Sequence, residues 1–126
     1  MILVLKTDQD PTEICLLNDD GKIIAEKKWN AERSLAKNLL GEIEKLVDDW
    51  TNLTGIVVFQ GPGSFTGLRI GITTANALAY SLNIPIVGTN GENWRTKGSE
   101  KLKNGQNDKI VLPEYGAPPH ITTPKK

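Results

Sequence analysis

Residues 55–71 read GIVVFQGPGSFTGLRIG, and this stretch decides the fold of the chain. The apolar run over 55–60 is continuous rather than alternating, which predicts a strand buried on both faces. A Gly-Pro-Gly turn follows at once. A helix is then predicted from Phe65 or Thr66 to Leu82, with Ser64 as its N-cap. The stretch therefore predicts a strand-loop-helix unit.

The glycine-rich turn has two physical uses. It can present backbone N–H groups and the positive helix end to a phosphate, or it can simply let a strand turn sharply into a helix. Its spacing matches neither the P-loop nor the dinucleotide fingerprint. Gly61, Gly63 and Ser64 are the candidates to lie near a phosphate, and the purely structural reading stays open beside this one.

The predicted helix after the turn carries a stripe of small residues. Gly67, Gly71, Ala75 and Ala79 recur at steps of four and so share one face. A glycine inside a helix costs about 1 kcal/mol relative to alanine, so two of them indicate a very close neighbour. That neighbour could belong to the same domain or to a partner helix.

The flanking sequence supplies the remaining elements. Apolar runs at 2–5, 13–17 and 22–26, the last two joined by an Asn-Asp-Asp-Gly turn, predict a three-stranded meander. An amphipathic helix is predicted over Ala31–Asp49, with Asn30 as its cap, and a last strand over Ile84–Gly88. The apolar face of this helix comprises Leu35, Leu39, Ile43, Leu46 and Trp50. The order β-β-β-α-β-α-β predicts an α/β lobe with a mixed five-stranded sheet and two main helices.

Composition narrows the function classes. The 126 residues suit one domain, and fifteen basic residues balance fifteen acidic ones, so no overall charge attracts nucleic acid. Cys15 and His120 are the only cysteine and histidine, which argues against a disulfide, a cysteine-based metal site or a histidine-dependent triad. No apolar run predicts a signal peptide or membrane span, and the expected location is the cytoplasm.

The chain changes character near residue 90. Residues 90–109 are polar without an apolar period, and residues 116–126 hold three prolines and two terminal lysines. The expected division is one lobe over 1–90 and a polar linker with a Pro-rich tail over 91–126. Trp94 is expected to be a loop aromatic, with stacking on RNA as the alternative.

The order strand, GPGSFTGLRIG, Ala-rich helix and NIPIVG resembles the TsaB (YeaZ) family over residues 1–90. The resemblance implies an actin/Hsp70-like, ribonuclease H-like lobe. It also implies a non-catalytic role in forming threonylcarbamoyladenosine on tRNA, beside a catalytic TsaD-like subunit and a TsaE-like ATPase. Contact with tRNA would be indirect, and neither a cofactor nor a metal is expected.

The resemblance further implies that the two helices meet the partner. The residues expected at that interface are Leu35, Leu39, Gly67, Arg69, Gly71, Thr74, Ala75 and Leu78. The same faces could instead form a homodimer without a TsaD-like partner. A small nucleotide hydrolase or a peptidase is a further alternative that lacks the groups it needs.

Two features depart from the family. Lys6-Thr7 stands where nucleotide-using relatives place an aspartate after the first strand, and lysine cannot ligate a hard cation. The chain is also too short for the second lobe that family members usually carry. Residues 112–119 loosely resemble the Pro- and Tyr-containing tail of full-length relatives, so the expected form is one lobe plus that tail.

Overall fold

The computed structural model of the chain describes residues 1–114. Five strands and three helices follow one another along these residues. They are β1 (Ile2–Lys6), β2 (Thr12–Leu17), β3 (Ile23–Trp29), α1 (Leu35–Val47), β4 (Gly55–Phe59), α2 (Phe65–Leu82), β5 (Ile86–Thr89) and α3 (Trp94–Lys103). Tyr115 and the predicted tail with His120 lie outside the described residues.

The strands form one mixed sheet in the order β3-β2-β1-β4-β5. The three N-terminal strands pair antiparallel, whereas β1–β4 and β4–β5 pair parallel. The predicted meander and the predicted mixed five-stranded sheet are confirmed. The hairpin turn is wider than a two-residue loop, because the Asn18 carboxamide accepts the N–H groups of Asp20 and Lys22 and Gly21 takes a positive φ.

The sheet is covered on both faces. Every residue of β4 is buried, and so are Ile2 to Leu5 of β1, although successive side chains of a strand point to opposite faces. Helices α1 and α2 contact each other and pack on one face, while α3 packs on β4 and β5 from the other. The prediction of a strand buried on both faces is therefore confirmed for β4.

Helix α1 is shorter than predicted at both ends. A 3-10 turn at Glu32–Ser34 precedes it, and the backbone of Asp48 turns to a positive φ after it. The N–H of Ala31 donates to the carboxylate of Asp10 at 3.0 Å. The predicted cap, Asn30, is not the N-cap of either helical segment, because those N-caps are Ala31 and Ser34.

The prediction of a linker or loop over residues 90–109 is wrong, because residues 94–103 form helix α3. Its buried positions are Trp94, Gly98 and Ser99, so small residues replace the large apolar ones that sequence periodicity detects. A Cβ on Gly98 would lie within 2.6 Å of Val57 Cγ2 in the centre of the sheet. The helix approaches the sheet too closely to carry a conventional apolar stripe.

Trp94 is the second correction in this segment. Its side chain is buried at the start of α3 and meets the Phe59 ring edge-on, with centroids 5.8 Å apart. The indole therefore belongs to the core, and neither the loop reading nor stacking on RNA holds for it.

Candidate functional site

The loop between β4 and α2 positions the predicted phosphate-proximal residues. Gly61 has a φ of 123°, the Gly61–Pro62 peptide is cis, and Ser64 immediately precedes α2. Ser64 stands at the N-cap position but its hydroxyl makes no capping hydrogen bond. The first N–H groups of α2 thus depend on other parts of the chain or on water.

Asp8 occupies the space beside this helix start. Its side chain is buried, and a Cβ on Gly63 would come within 2.9 Å of Asp8 Oδ2. Lys6 donates to Asp8 Oδ1 at 2.6 Å, and the same ammonium lies 4.6 Å from the Phe59 ring centroid. The charge of Lys6 is therefore engaged inside the lobe, and a carboxylate already lies where a bound anion would benefit from the helix dipole.

A second acidic residue closes the other side of the loop. A Cβ on Gly61 would overlap the carbonyl oxygen of Glu114, whose N–H donates to Gln60 O at 2.8 Å. Asn90 donates to the Glu114 carboxylate at 3.3 Å. Protein groups of negative character thus flank Gly61 and Gly63, which favours the structural reading of the glycines over a phosphate loop.

The close neighbour of the small-residue stripe is the end of β1. A Cβ on Gly67 would overlap the backbone oxygen of Thr7, and a Cβ on Gly71 would overlap Thr7 Oγ1. That hydroxyl donates to Gly67 O at 2.6 Å. Ala75 and Ala79 continue the buried side of α2. Of the two alternatives that the sequence left open, the described chain shows packing within its own lobe.

Four of the residues predicted at the partner interface are buried within the lobe. They are Leu35, Leu39, Gly71 and Ala75. Gly67, Thr74 and Leu78 are partly buried, and Arg69 is exposed.

The outer face of the two helices carries a groove of about 360 Å³. It is lined by Ala36 of α1 and by Phe65, Thr66, Arg69, Ile70, Thr73 and Thr74 of α2. Phe65 is 54% exposed, and Leu40 of α1 is 47% exposed. The Arg69 guanidinium lies 5.2 Å from the Phe65 ring centroid, within cation–π range. This face, called here the α1–α2 face, combines exposed apolar area with one charged group.

Sequence reasoning missed Leu40 and Phe65, although each left a signal. Leu40 is the large apolar residue of α1 that falls outside the stripe at 35, 39 and 43, and Phe65 directly follows the N-cap. Apolar residues outside the buried stripe of a helix point away from the core, and both of these side chains are exposed.

Gly41 lies on the exposed side of α1, opposite the buried stripe. No atom of residues 1–114 outside its local helix lies within 4 Å of where a Cβ on Gly41 would stand. Packing within the lobe therefore does not require a glycine at this position, although glycine costs the helix about 1 kcal/mol relative to alanine.

The far side of the sheet holds a polar cluster around Arg95. This guanidinium donates to Glu13 at 2.6 Å and ties α3 to β2. Burial raises the pKa of the neighbouring Cys15 thiol, while the charge of Arg95 opposes the shift. A neutral, buried thiol is a poor nucleophile.

Residues 1–114 show neither a metal-binding cluster nor a membrane-spanning helix. The Cys, Asp and Glu side chains of these residues nowhere form a group of three that could hold a metal ion. None of the helices in the same range is long and apolar enough to cross a membrane.

Comparisons with known proteins agree with this geometry. The family model described as "TsaD: tRNA N6-adenosine threonylcarbamoyltransferase" matches residues 23–94, more than half of the chain. The chain is 38% identical over 89 residues to the tRNA threonylcarbamoyladenosine biosynthesis protein TsaB of Bacillus subtilis, covering 68% of this chain and 38% of that protein. A tRNA N6-adenosine threonylcarbamoyltransferase of Geotalea daltonii is 58% identical over 38 residues, covering 30% of this chain and 11% of that protein.

A solved structure shares the fold. YeaZ from Pseudomonas aeruginosa superposes with a TM-score of 0.62 at 27% identity, over 71% of this chain and 42% of that one. The lobe is thus of the actin-like type, as the resemblance implied. The chain spans about two fifths of the length of the Bacillus subtilis relative and of the Pseudomonas aeruginosa structure.

Proposed function

The chain belongs to the family of TsaD and TsaB (YeaZ) proteins, and from this membership we propose that it is a non-catalytic docking subunit in the formation of threonylcarbamoyladenosine on tRNA. Its partner is a TsaD-like catalytic subunit, with a TsaE-like ATPase in the same assembly. Contact with tRNA runs through the partner, because the chain has no net charge to attract a polyanion. The site of action is the cytoplasm.

The α1–α2 face is the observation that carries this proposal. Exposed large apolar residues that lie close together mark interaction surfaces. Phe65, Arg69 and Ile70 line the groove together with Ala36 of α1, and the exposed Leu40 lies one helical turn beyond Ala36. Aromatic and arginine side chains are the types most enriched at binding hot spots.

A catalytic role has little support from the residues that would carry it. Cys15 is buried in the sheet with its pKa raised by that burial. Ser64 precedes α2 beside Asp8, whose carboxylate already pairs with Lys6. A hydroxyl needs a positioned base to act as a nucleophile, and a paired carboxylate is a weak candidate for that base.

Self-association through the same face is the second candidate. Leu40, Phe65 and the groove would then meet their own copies across a two-fold axis, as isologous interfaces require. Both candidates use one surface, so a homodimer would have to separate before the chain could bind a TsaD-like subunit.

Light scattering on a sizing column separates these candidates. The chain is measured alone, then mixed with the TsaD subunit of the same organism at equal concentration. We expect a 1:1 complex that forms at micromolar concentration, and any homodimer of the chain should disappear as the complex forms. A chain that leaves the column at the same mass with and without TsaD would refute the proposal.

A further inference from the structure

The outer edge of the sheet at β5 is fully occupied by the chain's own later residues. The outward backbone groups of Ile86 bond to Asn107 Oδ1 at 3.1 Å and to the N–H of Asp108 at 2.8 Å. Those of Gly88 bond to Asp108 Oδ2 at 2.9 Å and to Lys101 Nζ at 3.1 Å. An edge strand normally leaves such groups open to pairing with another chain.

The same segment also attaches to α2 and to the glycine loop. The Asn76 carboxamide accepts the N–H of Val111 at 2.9 Å and donates to its carbonyl at 3.0 Å, which is the pattern of a strand partner. Gln60 donates to Leu112 O at 2.8 Å. Residues 107–114, called here the strap, thus run from the β5 edge to the loop before α2.

One side chain of the strap is inserted into the lobe. Val111 is 2% exposed and lies over Gly88, where a Cβ would come within 2.7 Å of Val111 Cγ1. The glycine therefore forms the bottom of a side-chain slot. The neighbours of Val111 in the strap, Ile110 and Leu112, are each 68% exposed. A single buried anchor between exposed neighbours is how an extended peptide binds at a sheet edge.

We propose that the groove between β5 and α2 is a strand-type peptide-binding site, and that residues 107–112 are its ligand, held in cis and exchangeable with the same segment from another chain. The contacts are those of a docked peptide: main-chain bonds along the edge, a carboxamide clamp at Asn76 and one apolar anchor in the Gly88 slot. Gly105, with a positive φ and open space around it, joins the strap to α3.

The test uses the full chain with Val111→Asp, which places a charge in the slot and releases the strap. A fluorescein-labelled peptide of residues 106–114 is titrated into this variant and into the wild type, and anisotropy is recorded. We expect saturable binding to the variant and at least about tenfold weaker apparent binding to the wild type, because a tethered competitor acts at roughly millimolar effective concentration.

Two controls define the groove. The peptide carrying Val111→Asp should not bind, and adding Gly88→Ala to the variant should abolish binding because the new Cβ fills the slot. Equal binding to wild type and variant, equal binding to the Gly88→Ala form, or no binding to a folded variant would each overturn the proposal.

Hydrogen exchange on the wild type decides the matter if the variant does not fold. We expect the N–H groups of Ile86, Gly88, Val111 and Glu114 to open together, at one rate that is clearly faster than that of Val57 in the centre of the sheet. Exchange of these four groups only at the rate of Val57 would mean that the strap never leaves separately, and the proposal would fail.

Discussion

Alanine at the two glycines Gly41 and Gly71 should change stability in opposite directions. Both positions lie inside helices, so both substitutions gain about 1 kcal/mol of helix propensity. At Gly41 nothing in residues 1–114 beyond the local helix opposes that gain. Gly41→Ala is therefore expected to raise the free energy of unfolding by about 1 kcal/mol.

At Gly71 the same methyl group enters an occupied space. It would overlap Thr7 Oγ1 and come within 2.9 Å of Thr7 Cγ2. Overpacking of this kind costs about 1–3 kcal/mol, and displacing the Thr7 hydroxyl from Gly67 O costs about 1 kcal/mol more. After the propensity gain, Gly71→Ala is expected to lower the free energy of unfolding by about 1–3 kcal/mol.

Urea unfolding followed by circular dichroism measures both effects, and a double-mutant cycle assigns the cause. Thr7→Ala removes the two atoms that the new methyl group meets most closely. It should destabilise the wild type yet cost less in the Gly71→Ala background, with a coupling of at least about 1 kcal/mol. If Gly71→Ala stabilises the chain as Gly41→Ala does, or if the coupling is zero, the stripe does not pack against β1 and the assignment of the two helix faces is wrong.

Two other predictions concern the buried thiol and the glycine loop. Because burial raises the pKa of Cys15, the folded chain keeps this proton to a higher pH than the unfolded chain does. The free energy of unfolding should therefore fall as pH rises above about 8.5, and Cys15→Ala should show a smaller fall between pH 8 and 10 in urea titrations. Magnesium ATP at millimolar concentration should leave the melting temperature unchanged within about 1 °C, because Lys6 and Asp8 are paired at the helix start. A saturable rise would show nucleotide binding.

The strand-loop-helix unit and the order of strands and helices along the chain could be predicted because their signals are local. A continuous apolar run, an Asn-Asp-Asp-Gly turn and an amphipathic period each determine one element, and the rule for parallel crossovers then leaves few arrangements. Helix α3 lacked such a signal, since its buried side is built on Gly98 and Ser99. Only its close approach to Val57 makes it part of the core.

The direction of the α2 stripe could not be predicted for a related reason. Glycines at steps of four indicate a close neighbour but not which neighbour, and Thr7 is sixty residues away from Gly67 in the chain. The strap escaped prediction because its contacts use the side chains of Asn76, Asn107 and Asp108 as substitutes for backbone. Carboxamides and carboxylates in a polar segment read as solvent-exposed when the sequence is taken alone.

Calorimetric titration of a TsaD subunit with variants of the α1–α2 face tests the central claim most directly. Thr73→Arg places a large charged side chain at the exposed wall of the groove without entering the core, and Thr96→Arg is the matched change at an exposed position of α3 on the other side of the sheet. We predict at least a tenfold loss of affinity for Thr73→Arg and a change of less than about twofold for Thr96→Arg, with both variants folded. Undiminished binding by Thr73→Arg, or a loss confined to Thr96→Arg, would contradict the account.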